Sequence, residues 1–290
     1  MALQILPQFI STSLKKLGDK DELVILVATS GDTGKAALDG FKNVDQTKIL
    51  VFYPQEGVSK IQRLQMLTQQ GDNVSVFAVK GNFDDAQSGV KQIFSDSKYN
   101  EYLNEKGFKL SSANSINWGR LLPQIVYYFS AYADLVNDKK ITMGDKVNFT
   151  VPTGNFGDIL AGFYAKCMGL PVNRLICASN SNNVLTDFLK TGTYDRNREF
   201  FKTISPSMDI LISSNLERLL YHITNDATKI KSYMEKLQST GCYQVDEVTL
   251  KAIQETFSAG YLDDNATKKC IHDIYQQDNY VADTHTAVAW

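Results

Sequence analysis

A chain of 290 residues, 43% of them hydrophobic, has room for one large or two ordinary domains around a sizeable core, which excludes a disordered segment. Thirty Lys and Arg against thirty-two Asp and Glu leave a net charge of −2, and no dense basic run is present of the kind that nucleic acid or an anionic membrane surface requires. The four cysteines, Cys167, Cys177, Cys242 and Cys270, form no CxxC pair, and none of the three histidines lies at a zinc-site spacing from them, so no metal is expected and the thiols read as buried and reduced in a cytoplasmic protein.

The first stretch, "MALQILPQFISTSLKKLG", lacks the basic start and cleavage-like end of a signal peptide. Four apolar strand-like runs follow at 23–29 (LVILVAT), 48–54 (KILVFYP), 74–79 (VSVFAV) and 146–152 (KVNFTVP), each too short to span a bilayer and each followed by helical periodicity. That alternation predicts βαβ units, a mainly parallel sheet and an α/β fold whose ligand loops stand at the carboxyl ends of strands. Three strand–helix units precede a long helical pattern from about Asn117 to Leu135, which places a domain boundary near residue 113. The expected parts are a smaller α/β domain, 1–113, and a larger one, 114–290. In the larger domain "ILAGFYAKCMGLP" has a helix stop in Gly169 and Pro171, and the segments "NLERLLYHITNDATKIKSYMEKL", "TLKAIQETF" and "DNATKKCIHDIYQQ" read as helices with polar breaks.

Three loops have the composition of ligand sites. In "VPTGNFGD" the glycines Gly154 and Gly157 let backbone approach a ligand, and the amides of the following helix start favour an anion. The spacing matches neither G-x-G-x-x-G nor a Walker A loop, which disfavours nucleotide cofactors, and a tight βα turn with glycines for geometry alone is the competing reading. In "VATSGDTGKAALDGF" the hydroxyls of Thr29, Ser30 and Thr33 surround Gly31 and Gly34 at another strand-to-helix turn; this suits a carboxylate or phosphate, and equally an N-cap by Ser30 or Asp32. In "SSANSINWGRLLPQ" Asn114, Ser115, Asn117 and Arg120 fall within seven residues ahead of an apolar helix. Arg120 can grip a phosphate with two prongs, or be merely solvated while Asn114 to Asn117 cap. Lys60, in "YPQEGVSKIQRLQM", follows a strand and begins a helix, and by default is a surface lysine.

These stretches together resemble threonine synthase, a pyridoxal-phosphate enzyme of the tryptophan-synthase-β-like fold type II. The resemblance rests on "ATSGDTGKAA", "YPQEGVSKIQRLQM", "SANSINWGRLLPQ", "VPTGNFGD", "SPSMDILISSNLERLL" and "DTHTAV", in that order, and covers nearly the whole chain. It implies two open, mainly parallel twisted sheets flanked by helices. It implies that Gly154, Asn155, Phe156 and Gly157 cradle the phosphate of pyridoxal 5'-phosphate. Ser30, Gly31, Asp32 and Thr33 would lie over the cofactor ring and its bound substrate, with Asp32 where many relatives have Asn. Asn114, Ser115, Asn117 and Arg120, with Lys60, would take the substrate's own phosphate. Thr286 would face the pyridine nitrogen, although the family more often has Pro where Thr284 stands. The implied reaction converts O-phospho-L-homoserine and water into L-threonine and phosphate, the last step of threonine biosynthesis, in a monomer or homodimer without nucleic-acid or membrane partners.

That chemistry needs a lysine bound to the cofactor and able to shuttle protons. In the family it sits in a motif like H-G-P-T-x-A-F-K-D, ahead of the helix that "MALQILPQF" resembles, so it is expected upstream of Met1. Lys42, Lys109 and Lys202 each follow a Phe but lack the following Asp and read as solvated. The expectation is a threonine synthase truncated at both ends, with no catalytic residue of its own, inactive alone and poorly soluble. The alternatives are another fold type II enzyme of the threonine or serine dehydratase kind, and a non-catalytic homologue that binds a phosphorylated metabolite.

Overall fold

A computed structural model describes all residues except Ser30, Gly57 and Asn82. The chain divides into two compact units, Met1–Pro123 and Gln124–Trp290.

In the first unit the apolar runs form β1 (Glu22–Ala28), β2 (Thr47–Pro54) and β3 (Val74–Val79), and β4 (Phe108–Ser112) joins them in a sheet of order β3-β2-β1-β4 with every pairing parallel. The helices are α1 (Ala2–Leu17), α2 (Asp32–Phe41), α3 (Lys60–Leu67), α4 (Phe83–Ser95), α5 (Ser97–Glu105) and the short α6 (Trp118–Leu121). Side chains alternate across a strand, so a sheet covered on both faces needs an unbroken apolar run. Ile25 and Val27 of β1 pack with Ile49, Val51, Leu38, Phe41 and Met66 on one face. Leu26 and Ala28 pack with Ala86 and Val90 of α4 on the other. The chain passes outward from β1 to β2 to β3, then returns to place β4 on β1's other side. This makes the carboxyl ends of β1 and β4 the switch point of the sheet, where a crevice for ligands opens in such folds.

The units part after Pro123, beyond the expected boundary near residue 113, because β4 pairs with β1 and the segment after it is tied back to the first unit by Arg120. The single helix expected over about 117–135 is interrupted. After α6 a 3-10 turn spans Leu122–Gln124, and α7 (Ile125–Asn137) follows; Pro123 has no N–H to continue a helical ladder.

In the second unit β5 (Val147–Pro152), β6 (Val172–Ser179) and β9 (Phe257–Tyr261) form a parallel sheet of order β5-β6-β9, and β7 (Thr193–Asp195) pairs antiparallel with β8 (Cys242–Gln244). The helices are α7, α8 (Gly157–Cys167), α9 (Val184–Thr191), α10 (Leu216–Thr224), α11 (Ala227–Ser239), α12 (Glu247–Gln254), α13 (Asp264–Asp278) and α14 (Thr284–Ala289). The helical stretch 215–237 breaks where expected from its polar residues. Asn225, at φ 49°, ends α10, and the Asp226 carboxylate caps α11 by accepting from the Lys229 amide at 3.0 Å. Of the four cysteines only Cys177, in central β6, is fully buried; Cys167 is exposed at the end of α8, which corrects the expectation of buried thiols throughout. Among the described residues no helix is long and apolar enough to cross a membrane.

One close approach fixes the first unit's outer layer. Pro7 lies inside α1. It offers no N–H to the Leu3 carbonyl four residues back, and its ring crowds that oxygen. The Leu3 oxygen instead lies against Gly40 of α2, where an added Cβ would stand 1.9 Å from it. Gly40→Ala therefore forces α1 off α2, and urea unfolding is expected to show a loss of about 1–3 kcal/mol or more, the range for overpacking a full core. A variant as stable as the parent would show that α1 is not held by this contact.

Candidate functional site

The first unit's candidate residues gather at the switch point. Thr29 follows β1, is fully buried, and its Oγ1 accepts from the amides of Gly31 and Gly34, both at 2.9 Å. The cap of α2 is thus supplied by Thr29, whereas the expected Asp32 starts the helix; Ser30 lies outside the described residues. The Asp32 carboxylate accepts from Gln62 Nε2 at 2.8 Å, and the Gln62 amide lies against Gly31. Gln62 is itself held by a capping box with Ser59, the start of α3. Lys60 stands exposed at the first position of that helix.

From the β4 side, Asn114 Nδ2 donates to the Ala28 carbonyl at 3.1 Å and stitches the ends of β4 and β1 together. Asn117 caps α6, with Oδ1 accepting from the Gly119 amide at 2.9 Å, and Nδ2 donating to the Ser112 carbonyl at 2.7 Å. Ser115 is buried. Arg120 donates through Nη1 to the Ala113 carbonyl at 3.0 Å and through Nη2 to the Thr33 hydroxyl at 3.3 Å. Its guanidinium is therefore held in a fixed plane beside the start of α2, not loose in solvent. Thr33, Asn114, Asn117 and Arg120 are brought into one hydrogen-bonded group; the two asparagines serve the loop's own backbone.

In the second unit the sequence Gly154-Asn155-Phe156-Gly157 joins β5 to α8. Phe156 is fully buried and adopts the left-handed conformation, φ 64°, as the N-cap residue. Asn155 Oδ1 accepts from the Gly157 amide at 2.9 Å. The Gly154 carbonyl accepts from the Ser213 hydroxyl, and the Asn155 carbonyl from Asn215, through its backbone amide at 3.0 Å and Nδ2 at 3.2 Å. Across a planar trans peptide the carbonyl and the next amide point in opposite directions, so the amides of Asn155 and Phe156 are turned away from these donors. Among the described residues nothing accepts a hydrogen bond from the amides of Gly154, Asn155 and Phe156. Amides left open at the start of an eleven-residue helix form a concavity suited to an anion. Gly154 has no room for more: an added Cβ would lie 3.0 Å from the Ser207 carbonyl oxygen and 3.2 Å from Met208 Cα.

Further along, Asp283 caps α14. Its carboxylate accepts from the amides of His285 and Thr286 and from the Thr286 hydroxyl. The Thr286 hydroxyl, which by the resemblance would face a ring nitrogen, thus donates its hydrogen bond to Asp283. His285 Nε2 accepts from the Ser207 amide at 3.2 Å, joining α14 to the segment beside Gly154. Sequence reasoning gave no role to Gln62, Tyr194, Asp209, Ser213, Asn215 or His285. Gln62 had a local signal in the S-x-x-Q spacing from Ser59, and Asp209, Ser213, Asn215 and His285 lie in the stretches "SPSMDILISSNLERLL" and "DTHTAV" that carry the resemblance; Tyr194 had none.

No family model matches the chain. Its sequence is 43% identical over 297 residues to human threonine synthase-like 1, a match that spans all of this chain and 40% of that protein. It is 38% identical over 285 residues to the threonine synthase of Saccharomyces cerevisiae, across 93% of this chain and 54% of the yeast protein. The crystal structure of PLP-bound threonine synthase from Brucella melitensis superposes with a TM-score of 0.89 at 41% identity, covering 99% of this chain and 60% of that one. The chain is a homologue of threonine synthases. It spans about half the length of the relatives it matches, and within that half the fold is the threonine synthase fold.

Two acidic and nucleophilic groups near the cradle differ in kind from ordinary ones. Burial pushes the Cys177 thiol up to about 12, leaving it no nucleophile. Burial likewise pushes the Asp158 carboxyl, in the first turn of α8, up from 3.8 to about 6, an effect only partly offset by the nearby Tyr128 hydroxyl, and its buried Oδ1 has no partner among the described residues. The folded chain therefore holds a proton that the unfolded chain releases, and stability falls as pH rises from 3.8 to about 6 and stays reduced above. Asp158→Asn should raise the unfolding free energy at pH of about 8 by at most about 3 kcal/mol and leave it unchanged at about pH 3.5. Equal effects at both values, in urea titrations, would exclude the buried charge as the cause.

Proposed function

We propose that this chain carries the phosphate-holding parts of a pyridoxal-phosphate-dependent threonine synthase, which turns O-phospho-L-homoserine and water into L-threonine and phosphate. The observation that carries the reading is the cradle at the start of α8, with open amides at Gly154, Asn155 and Phe156 and a glycine backed by chain on its far side. A phosphate monoester matches that donor set: it has several acceptor oxygens, negative charge for the positive end of a helix, and no donors that the amides would repel. When bound, the cofactor supplies an electron sink that makes protons on the α and β carbons of an amino acid removable.

The residues of this chain then hold and orient. Gly154, Asn155, Phe156 and Gly157 bind the cofactor phosphate through their backbone. Thr286, its hydroxyl oriented by Asp283, serves the ring nitrogen's end. Ser30, Gly31, Asp32 and Thr33 border the substrate, with Asp32 kept in place by Gln62. Arg120, assisted by Asn114, Ser115, Asn117 and Lys60, takes the phosphate that leaves. A guanidinium already fixed in plane by Ala113 and Thr33 meets that group with little further loss of side-chain freedom. The cofactor-linked lysine belongs, in this proposal, to sequence outside these 290 residues. Lys109, which follows a Phe as the family's lysine does, is engaged by Asp19 at 2.6 Å and Asp21 at 2.9 Å.

Arg120→Ala in the intact protein is expected to raise KM for O-phospho-L-homoserine about tenfold or more, the loss of hydrogen bonds to a charged group, with pyridoxal-phosphate affinity unchanged. Unchanged steady-state kinetics would remove Arg120 from the pocket. Borohydride reduction followed by peptide mapping should find the pyridoxyl label on no lysine between Met1 and Trp290. Stoichiometric labelling of Lys42, Lys109 or Lys202 would overturn the placement of that lysine.

A further inference from the structure

The cradle's shape is set by a segment that has almost no regular structure of its own. Between β7 and α10, residues 203–215 contain one 3-10 turn at Pro206–Met208 and no strand, so no ladder holds them in place. This strap nevertheless supplies the three donors, from Ser213 and Asn215, that tie down the Gly154 and Asn155 carbonyls, and its backbone at Ser207 and Met208 is the wall against which Gly154 rests.

Two hooks fix the strap. The first is the Asp209 carboxylate. Its Oδ1 accepts from Asn180 Nδ2 at 2.8 Å, Asn182 Nδ2 at 3.1 Å and the Thr203 hydroxyl at 2.7 Å, and its Oδ2 accepts from the Thr203 amide at 3.0 Å. Asn180 and Asn182 are buried at the carboxyl end of β6, so Asp209 ties the strap to the sheet. The second hook is the Tyr194 hydroxyl, which donates to the Leu211 carbonyl at 3.0 Å and accepts from the Ser213 amide at 2.8 Å. Its ring is 1% exposed, stacked on Tyr243 at 5.3 Å and 5°, with Tyr233 stacked on Tyr243 at 5.2 Å and Phe188 edge-on to Tyr194. A ring so confined places its oxygen without rotamer freedom, and it spans Leu211 and Ser213, the latter being the residue that captures Gly154.

We propose that Tyr194 and Asp209 are positioning residues for the cofactor phosphate: they hold the strap so that the Asn155 and Phe156 amides face the ligand, and thereby set the preference for pyridoxal phosphate over pyridoxal. The inference rests on the reading of the cradle as the phosphate site. Neither residue needs to touch the cofactor; each acts through Ser213 and Asn215 on the peptide planes of the turn.

The test is a pair of spectroscopic titrations of the intact protein, with pyridoxal 5'-phosphate and with pyridoxal, which lacks the phosphate. Tyr194→Phe deletes one oxygen and keeps the aromatic stack. It is expected to weaken pyridoxal-phosphate binding about fivefold, as two neutral hydrogen bonds are lost, while pyridoxal binding stays within about twofold. Asp209→Asn, which turns an acceptor atom into a donor facing other donors, is expected to lower the same ratio further. Ser213→Ala should do so through the last link alone. If the variants keep the parent's affinity ratio, or lose affinity for both ligands equally together with a lower Tm, the residues are structural and the positioning role is overturned. If the parent itself binds both ligands equally, the phosphate reading of the cradle fails first and the inference falls with it.

Discussion

Capturing a carbonyl decides where the following amide faces, because the two share one rigid plane. The second unit is organised around that constraint. β5 delivers the chain to Gly154, α8 leaves with its first amides uncommitted, and the strap grips the turn from the opposite side. Side chains that contact no ligand thus arrange backbone groups that can.

The first unit reaches a comparable end by other means. Side chains knit two strand ends together instead: Asn114 reaches the end of β1, Asn117 the end of β4, and Arg120 bridges to the start of α2. A charged side chain held by a carbonyl and a hydroxyl keeps its full charge while losing its freedom to wander.

Much of this was legible in the order of residues. β1 and β2 could be read because their apolar runs are long, as strands covered on both faces are, and β3 and β5 because apolar residues recur at every second position, as in half-exposed edge strands. β4, β6 and β9, with the short β7 and β8, were missed: "FKLSS", "VNRLICAS" and "FSAGY" mix polar or small residues into short runs, and their strand character comes from pairing with β1, β5 and β6. The glycine turns announced the cradle by composition. Nothing near Gly154 announced Ser213 or Tyr194, which lie some forty to sixty residues along the chain and act through single oxygen atoms. The expected cap by Asp32 went to Thr29 for a comparable reason, since local sequence offers several hydroxyls and carboxylates and only the bend of the backbone chooses among them.

Pro7 and Gly40 lie far apart in sequence, yet they are two halves of one arrangement. The proline frees and displaces the Leu3 oxygen; the glycine makes room for it. Neither choice is sensible without the other. Restoring an amide at position 7 would draw the Leu3 carbonyl back toward its own helix and widen what position 40 tolerates, so the order in which the two sites change matters.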